Sequence, residues 1–262
     1  MDRIASAASL LAAARLSGLP VEALPPLVRP RDEAEAYWVQ QAVHGLIARS
    51  RFGQRTGYKI ACTTPVMRKY LGIRHPCSGG VFAGTIYPSG VRLSHDEFMR
   101  VGVEAEVAVK LGRDLPSQEG PFTADKVADA IEFYAAAIEV VDDRYADWHK
   151  TDTPTLIADD FFAAACVLGA PVPAAEVGDP AELAGTTTVN GDEVGRGKAR
   201  DIMGHPLNAL AWLANALVGR GHTLTAGEIV LLGSLTETHW LEHGDTAVVE
   251  IDHLGRVEVT VK

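Results

Sequence analysis

Two segments of the chain combine a β-strand pattern with carboxylates. In residues 101–111, β-branched and small apolar residues surround Glu104 and Glu106. Side chains two residues apart on a strand point to the same face, so this spacing predicts that both carboxylates face one way. Residues 135–143 are almost wholly apolar, which is typical of a strand buried on both faces, yet Glu139 lies in the middle. The pattern therefore predicts two buried strands that both carry acidic groups.

Helical patterns occupy the start of the chain. Residues 1–16 are rich in alanine and leucine, whereas residues 30–49 open with acidic groups and then repeat apolar side chains at helical spacing. We therefore expect a helical N-terminal region over residues 1–55. The strand patterns begin after it, so we expect residues 56–262 to form one β-rich domain. Together the two parts predict an α+β fold.

The rest of the pattern predicts an alternation of strands and helices. Thr64 and Pro65 suit the start of a helix, because threonine caps helices and proline fits their first turn. Asn190-Gly191, between extended segments, suits a tight hairpin turn. In chain order, we predict a strand at 56–62, helices at 64–71, 123–134 and 204–217, a strand at 228–234 and a closing hairpin at 247–261.

Carboxylates in buried strands need an explanation, because a buried charge is costly unless a cation or hydrogen-bond donors compensate it. If Glu104, Glu106 and Glu139 converge, they raise one another's pKa values, and a divalent cation relieves that repulsion. Oxygen ligands suit a hard ion, so the predicted cofactor is Mg²⁺ or Mn²⁺. The alternative is that Glu104 and Glu106 lie on a solvated strand face while Glu139 pairs with an arginine. Spacing alone does not decide between these interpretations.

Composition and charge narrow the class of protein. The 262 residues are 47% hydrophobic, which is enough for a sizeable core. A net charge of −10 without any lysine and arginine cluster argues against nucleic acid or an anionic membrane as a partner. No run of about eighteen apolar residues predicts a membrane span. Cys62, Cys77 and Cys166 lack the spacing of a disulfide framework or a zinc site, which favours a reducing, cytoplasmic location.

Several motifs occur together in a fixed order along the chain. They are Gly57-Tyr-Lys59-Ile, Glu104-Ala-Glu106, Ala137-Ile-Glu139-Val-Val-Asp142, Gly204-His-Pro-Leu-Asn-Ala-Leu-Ala-Trp-Leu213, Gly227-Glu-Ile-Val-Leu-Leu-Gly-Ser234 and Gly244-Asp245. Their order and spacing resemble the 2-keto-4-pentenoate hydratase and 4-oxalocrotonate decarboxylase family, within the fumarylacetoacetate hydrolase-like superfamily. The resemblance implies a fumarylacetoacetate hydrolase-like mixed β-roll with a helical N-terminal part. It also favours the metal site over its alternative.

The resemblance further implies a reaction and its partners. A divalent ion held by Glu104, Glu106 and Glu139 would chelate a 2-oxo acid and stabilise negative charge beside its ketone. The implied activity is that of a hydratase, a carbon–oxygen lyase that adds water to a 2-hydroxyalka-2,4-dienoate in aromatic catabolism. Decarboxylation of a 2-oxo-3-enedioate, C–C hydrolysis of an acylpyruvate and keto-acid binding without turnover are the alternatives. The implied protein partners are further copies of the chain and a homologous decarboxylase or hydratase.

Lys59 lies between apolar residues of a predicted strand. Such a lysine either extends its amine to the surface or is buried with a depressed pKa. The resemblance implies the second case, with Lys59 as the catalytic residue that transfers a proton to or from the dienol. At the end of another predicted strand, Gly233 and Ser234 offer a backbone donor and a hydroxyl suited to a substrate carboxylate. Ser234 is therefore a predicted substrate-binding residue.

Cys77 marks the main departure from the family's pattern. Hydratases of this type usually have an aspartate here that partners the lysine, and a thiol with a pKa of about 8.5 does not replace a carboxylate at neutral pH. His75, Asp143 and Asp159 are the candidates to supply the missing group, and the sequence does not choose among them. Cys77 and Asp159 are both predicted to bind substrate. A nucleophilic Cys77 is a weaker alternative, because only His75 lies near it in the sequence.

A second departure follows Asp159. The family more often has asparagine and small polar residues where this chain has Asp160, Phe161 and Phe162. The change predicts a more apolar substrate pocket. The nearby segment 148–150, Trp-His-Lys, either covers that pocket or forms an ordinary surface loop.

Overall fold

The computed structural model describes residues 2–262, and within them the chain forms seven α-helices and fourteen β-strands. The helices are α1 (Arg3–Ser17), α2 (Glu33–Ile47), α3 (Pro65–Leu71), α4 (Ala124–Ala128), α5 (Thr153–Ala158), α6 (Ala174–Val177) and α7 (Pro206–Gly219). The strands are β1 (Arg55–Ala61), β2 (Cys77–Phe82), β3 (Ile86–Pro88), β4 (Val91–Leu93), β5 (Val101–Leu111), β6 (Ile131–Asp142), β7 (Ala163–Leu168), β8 (Val172–Pro173), β9 (Ala184–Val189), β10 (Asp192–Lys198), β11 (Ile229–Ser234), β12 (His239–Trp240), β13 (Thr246–Ile251) and β14 (Gly255–Val261).

The strands form two sheets. Nine strands build a mixed sheet in the order β2-β1-β11-β5-β6-β7-β3, with β12 beside β5 and β8 beside β6. The other sheet has five strands in the order β10-β9-β13-β14-β4. The long antiparallel pair of β5 and β6 lies in the middle of the larger sheet, because its valine and alanine side chains suit burial on both faces. This combination of mixed sheets and helices confirms the predicted α+β class.

The two faces of β5 lie in different environments. Val103, Ala105 and Val107 point into the main hydrophobic core, which they share with α7 and the five-stranded sheet. The residues between them face the other side of the sheet. The buried cluster on that side combines larger residues of β2 and β11 with small residues of β5, β6 and β7: Ala108, Ala135, Ala137 and Cys166. The even-numbered positions of β5, which include both glutamates, therefore face a region where small side chains leave space.

The two N-terminal helices begin at aspartate caps and pack against the rest of the chain. Asp2 and Asp32 each accept a backbone N–H group of the first helical turn, which satisfies donors that lack a partner within the helix. Apolar residues of α1 and α2 form a cluster with α5 and β2. Both predicted helices are thus present, although Met1 lies outside the described residues. The division of the chain at residue 55 stays a prediction.

The predicted helix at 123–134 is wrong in its second half. Helix α4 ends at Ala128, and Ile131 already begins β6. Tyr134, which suited a helical stripe, instead pairs with Val109 of β5. The apolar spacing is compatible with both structures over so few residues. Pairing with β5 decides between them, because it buries the same side chains and adds the hydrogen bonds of the sheet.

Gly57 allows β1 to lie against β11 and so positions the strand that carries Lys59. A Cβ atom on Gly57 would lie 2.0 Å from the carbonyl oxygen of Ile229. We expect Gly57→Ala to lower the free energy of unfolding by about 1–3 kcal/mol, because overpacking forces the backbone to shift. Gly45→Ala in α2 is the control, since a Cβ there meets no atom within 4 Å and alanine favours a helix. Urea unfolding measures both variants, and an unchanged midpoint for Gly57→Ala would contradict this expectation.

Candidate active site

Glu104, Glu106 and Glu139 meet on one face of the larger sheet. Glu104 of β5 lies directly opposite Glu139 of β6 in the antiparallel register, and Glu106 follows two residues later on the same face. One carboxylate oxygen of each residue lies within 4.8 Å of the other two. Glu106 and Glu139 are only 1% and 2% exposed, whereas Glu104 is half-buried. This burial does not match the alternative of a solvated strand face.

Hydrogen bonds compensate only part of this acidic charge. Glu106 Oε2 accepts the backbone N–H of Gly233 at 2.8 Å, and Glu104 accepts the hydroxyl of Thr238. Glu139 Oε1 is buried and forms no hydrogen bond of standard geometry, but the charged amine of Lys59 lies 2.9 Å from it. The amine carries a single positive charge, so three ionised carboxylates leave excess negative charge at the cluster. A bound divalent cation would offset that excess.

The electrostatics of the three carboxylates also fit a divalent cation. Burial raises the pKa of Glu106 well above its usual value, and the charges of Glu139 and Glu104 raise it further. Burial and Glu139 likewise raise the pKa of Glu104. A cation at their centre would offset this repulsion. The donor set consists entirely of oxygen atoms, which suits a hard ion such as Mg²⁺, Mn²⁺ or Ca²⁺.

Lys59 is buried beside the carboxylates, with 4% of the residue exposed. Its Nζ lies 2.9 Å from Glu139 Oε1 and donates to the backbone carbonyl of Phe161 at 2.8 Å. Burial lowers the pKa of Lys59, but the carboxylates, Glu139 above all, outweigh burial and leave the pKa raised. The alternative of a lysine that reaches the surface is therefore wrong, and so is the expectation of a depressed pKa, because the neighbouring carboxylates stabilise the charged amine. The amine is a charged donor next to the carboxylate cluster.

Ser234 lies beside the cluster, whereas Cys77 contacts another thiol. Ser234 is opposite Glu106 in the sheet register, but its hydroxyl donates to the carbonyl of Thr236 at 2.6 Å. Cys77 is buried in β2, where its hydrogen bond with Cys62 and burial raise the pKa of the Cys77 thiol. A thiol that stays protonated is a poor nucleophile. Substrate binding by Ser234 and Cys77 stays a prediction.

Asp159 belongs to a separate network of ion pairs. Its fully buried carboxylate lies 3.1 Å from Arg15 and 2.8 Å from Arg144. His75 and Asp143, the other candidates for the missing carboxylate, pair with different charged groups. Within the described chain, none of these three residues pairs with the lysine of the site. Substrate binding by Asp159 therefore stays a prediction that these contacts do not support.

Two contacts of the glutamates were not predicted. Thr238 lies after β11 in a segment without a recognisable motif. No sequence pattern predicts that its hydroxyl donates a hydrogen bond to Glu104. Gly233 was expected to face a substrate, but its N–H binds Glu106. Glycine is required there, because φ is 125° and a Cβ would lie 2.7 Å from Thr63. The Gly-Ser pair at the end of β11 was the only local signal for this contact.

Aromatic side chains surround the segment next to the lysine. The ring of Trp148 lies 5.8 Å from that of Phe162 and 5.8 Å from that of Tyr70, between ring centroids. Phe162 directly follows Phe161, whose carbonyl binds the lysine amine. The segment that begins at Trp148 therefore packs against this part of the chain. A more apolar substrate pocket stays a prediction.

Comparison with known proteins identifies the family. The family profile described as Fumarylacetoacetate (FAA) hydrolase C-terminal matches residues 81–262. A 2-keto-4-pentenoate hydratase from Burkholderia vietnamiensis is 37% identical over 261 residues, which cover 99% of this chain and 97% of that protein. The chain belongs to the 2-keto-4-pentenoate hydratase family of this superfamily. A 2-hydroxyhexa-2,4-dienoate hydratase from Comamonas testosteroni is a further relative, 31% identical over 234 residues. The matched residues cover 86% of this chain and 84% of that protein.

A solved structure confirms the fold expected of the family. The 4-oxalocrotonate decarboxylase from Pseudomonas putida G7, complexed with magnesium and adipate, matches with a TM-score of 0.92 at 25% identity, over 100% of this chain and 98% of its own. The predicted fumarylacetoacetate hydrolase-like fold is thus confirmed. The hydratase relatives also confirm the predicted enzyme class, a carbon–oxygen lyase, in preference to the decarboxylase alternative. No helix within residues 2–262 has the length and apolar character needed to cross a membrane.

Proposed function

We propose that this hydratase-family enzyme adds water to a 2-hydroxyalka-2,4-dienoate and releases a 4-hydroxy-2-oxo acid. The observation that carries the proposal is the convergence of three carboxylates within 4.8 Å, with a buried lysine beside them. The related hydratases are named for 2-keto-4-pentenoate and 2-hydroxyhexa-2,4-dienoate, which supports this class of substrate.

We assign Glu104, Glu106 and Glu139 as the residues that hold a divalent cation, and we favour Mg²⁺ or Mn²⁺. Three protein ligands leave coordination positions for water and for the substrate. When bound, the cation would polarise the oxygen on C2 and the carboxylate of the substrate, which stabilises negative charge beside the carbonyl. The magnesium and calcium complexes of the related decarboxylase support a divalent ion of this kind.

Lys59 is proposed to move the proton that makes the substrate electrophilic. Its amine is a charged donor held between Glu139 and the carbonyl of Phe161. The amine delivers a proton to C5 and takes up the proton of the enol hydroxyl in return, which leaves a C2 ketone conjugated to a C3–C4 double bond. Water then adds across that double bond, so that C4 gains the hydroxyl and C3 gains the proton. The product is the 4-hydroxy-2-oxo acid.

The direct test follows the ultraviolet absorbance of 2-hydroxypenta-2,4-dienoate in the presence of the purified enzyme. With Mg²⁺ or Mn²⁺ the absorbance should disappear without release of carbon dioxide, and NMR should identify the hydrated product. After treatment with EDTA, turnover should fall by about 100-fold or more, because a metal supplies several kcal/mol of charge stabilisation. Adding the metal back should restore turnover.

Other outcomes would point to other activities. Carbon dioxide release from a 2-oxo-3-enedioate, without hydration of the dienoate, would favour the decarboxylase. Cleavage of an acylpyruvate would favour the hydrolase, and binding without turnover would favour a keto-acid-binding protein. Hydration that persists in EDTA would contradict the role of the cation.

Three expectations stay predictions: assembly into oligomers, a complex with a homologous decarboxylase or hydratase, and a cytoplasmic location.

A further inference from the structure

The loop between α5 and β7 holds three consecutive residues in the left-handed backbone conformation. The φ angles of Asp160, Phe161 and Phe162 are 61°, 47° and 65°. Non-glycine residues rarely adopt such angles, because Cβ crowds the backbone, and each one costs about 1 kcal/mol or more. Two of the three residues are bulky aromatics. The loop therefore persists only where surrounding contacts hold it.

Asp160 supplies an anchor for this loop. Its fully buried carboxylate accepts hydrogen bonds from Arg15 Nη1 at 2.7 Å, His44 Nε2 at 2.8 Å and the Gly80 N–H at 2.9 Å. These donors belong to α1, α2 and β2, so one side chain connects three elements to the loop. Burial raises the pKa of Asp160, but His44 and Arg15 outweigh it and hold the pKa well below its usual range. The carboxylate is therefore ionised and binds its donors strongly.

Two glycines of β2 make room for the anchor. A Cβ on Gly79 would lie 2.9 Å from the carbonyl oxygen of Asp160, and a Cβ on Gly80 would lie 2.8 Å from the His44 ring. Gly79 is also the residue that pairs with Lys59 across β1 and β2. The anchor thus lies immediately beside the point in the sheet from which the lysine side chain starts.

We infer that Asp160 is a positioning residue for Lys59 and acts through the carbonyl of Phe161. The lysine amine donates to that carbonyl at 2.8 Å, and the direction of the carbonyl depends on the backbone angles that the anchor maintains. This inference rests on the proposed function, in which the amine moves a proton.

The arrangement extends into the N-terminal helices. Arg15 of α1 donates to the carbonyl of Asp159 at 2.8 Å as well as to Asp160, so it holds the loop at two points. His44 contributes a third contact from α2. Helices α1 and α2 should therefore influence turnover, although the carboxylate cluster itself lies on β5 and β6.

The kinetic test is Asp160→Asn, which keeps the size of the side chain and an acceptor oxygen but removes the charge that binds Arg15. We expect kcat to fall by about 10- to 100-fold while KM and the affinity for Mg²⁺ change by less than about threefold, because misplacing a reacting group by ~1 Å costs up to about 100-fold. In a Lys59→Met background the same substitution should cause no further loss, since its effect acts through the lysine. Asp142→Asn is the matched control, because Asp142 is also a buried carboxylate that accepts backbone N–H groups.

Crystal structures of the wild type and of Asp160→Asn separate this inference from the proposed function. We expect the distance between Lys59 Nζ and the Phe161 oxygen to exceed about 3.5 Å in the variant. The inference would be overturned if Asp160→Asn kept the contact between Lys59 Nζ and the Phe161 oxygen, or if it kept the wild-type kcat. It would also be overturned if the substitution lowered kcat equally in the wild-type and Lys59→Met backgrounds. Absence of dienoate turnover by the wild type would instead refute the proposed function, and the geometric comparison would still decide the inference. If Asp160→Asn does not fold, Arg15→Lys takes its place with the same expectations, because lysine keeps the charge and loses the forked donor.

Discussion

Replacing Glu106 by glutamine should lower kcat/KM by about 1000-fold or more. Glutamine keeps the size of the side chain and an acceptor for the Gly233 N–H, but it removes one of the three charges assigned to the cation. A bound metal contributes several kcal/mol to the stabilisation of developing charge, and each 1.36 kcal/mol is worth about a factor of ten in rate. Absorbance kinetics measure the rate, and isothermal titration with Mg²⁺ should show a parallel loss of affinity.

The metal-free Glu106→Gln protein provides a second readout. In the folded state, burial and the charges of Glu139 and Glu104 raise the pKa of Glu106, whereas the unfolded chain ionises freely at neutral pH. The carboxyl group of Glu106 therefore costs stability, and this cost grows as the pH rises from the usual glutamate pKa to the raised pKa of the folded state. Removing this charge should leave the protein in EDTA at least as stable as the wild type. Thermal unfolding in EDTA measures this, and a lower Tm would contradict the crowded-carboxylate description.

Glu132→Gln is the matched control for this substitution. Glu132 lies on β6, half of its side chain is exposed, and it forms a 2.9 Å ion pair with Lys110. Exposed ion pairs contribute only ~0–1 kcal/mol, so turnover and Mg²⁺ affinity should stay within about twofold of the wild type. A wild-type rate for Glu106→Gln, or an equal loss in both variants, would show that the carboxylate cluster is not the metal site.

Replacing Lys59 by methionine should lower kcat by about 100- to 10,000-fold, the range of general acid–base catalysis. Methionine fills much of the same space but lacks the amine that lies 2.9 Å from Glu139. Because a positive charge near the carboxylates repels an incoming cation, its removal should leave the affinity for Mg²⁺ unchanged or increased. Absorbance kinetics and calorimetry together separate the loss of proton transfer from a loss of metal.

Lys110→Met serves as the control for the lysine. Lys110 lies on β5, four residues after Glu106, and is partly exposed beside Glu132. Its variant should keep the wild-type rate. Unchanged turnover in Lys59→Met would show that the amine moves no proton. A fall in Mg²⁺ affinity as large as the fall in rate would show that the lysine supports metal binding instead.

Local geometry explains what could be predicted about the site. Glu104 and Glu106 share a face because alternation is a property of any single strand, and the structure shows this arrangement. The apolar surroundings of Glu139 indicated burial for a similar reason. The same kind of reasoning misassigned the segment around Ile131, because over a few residues a helical stripe and a buried strand have similar apolar spacing.

The resemblance to the hydratase family added what spacing did not provide. It favoured burial of Lys59 and the metal site, whereas the residues alone were also compatible with a surface lysine and a solvated strand. It offered no replacement for the aspartate at Cys77. The structure shows that none of the predicted candidates pairs with Lys59, and that a backbone carbonyl binds the amine together with Glu139.

The sequence by itself determined β5, most of β6, the shared face of Glu104 and Glu106 and the residue types available for chemistry, because alternation and apolar patterning act between near neighbours. Only the tertiary structure decided that Glu139 lies opposite Glu104, that Arg15 reaches Asp160 from 145 residues away, and that this loop binds Lys59. Register and long-range ion pairs depend on the summed packing of the whole sheet with the N-terminal helices. No short segment of the sequence therefore specifies the strand register or these long-range ion pairs.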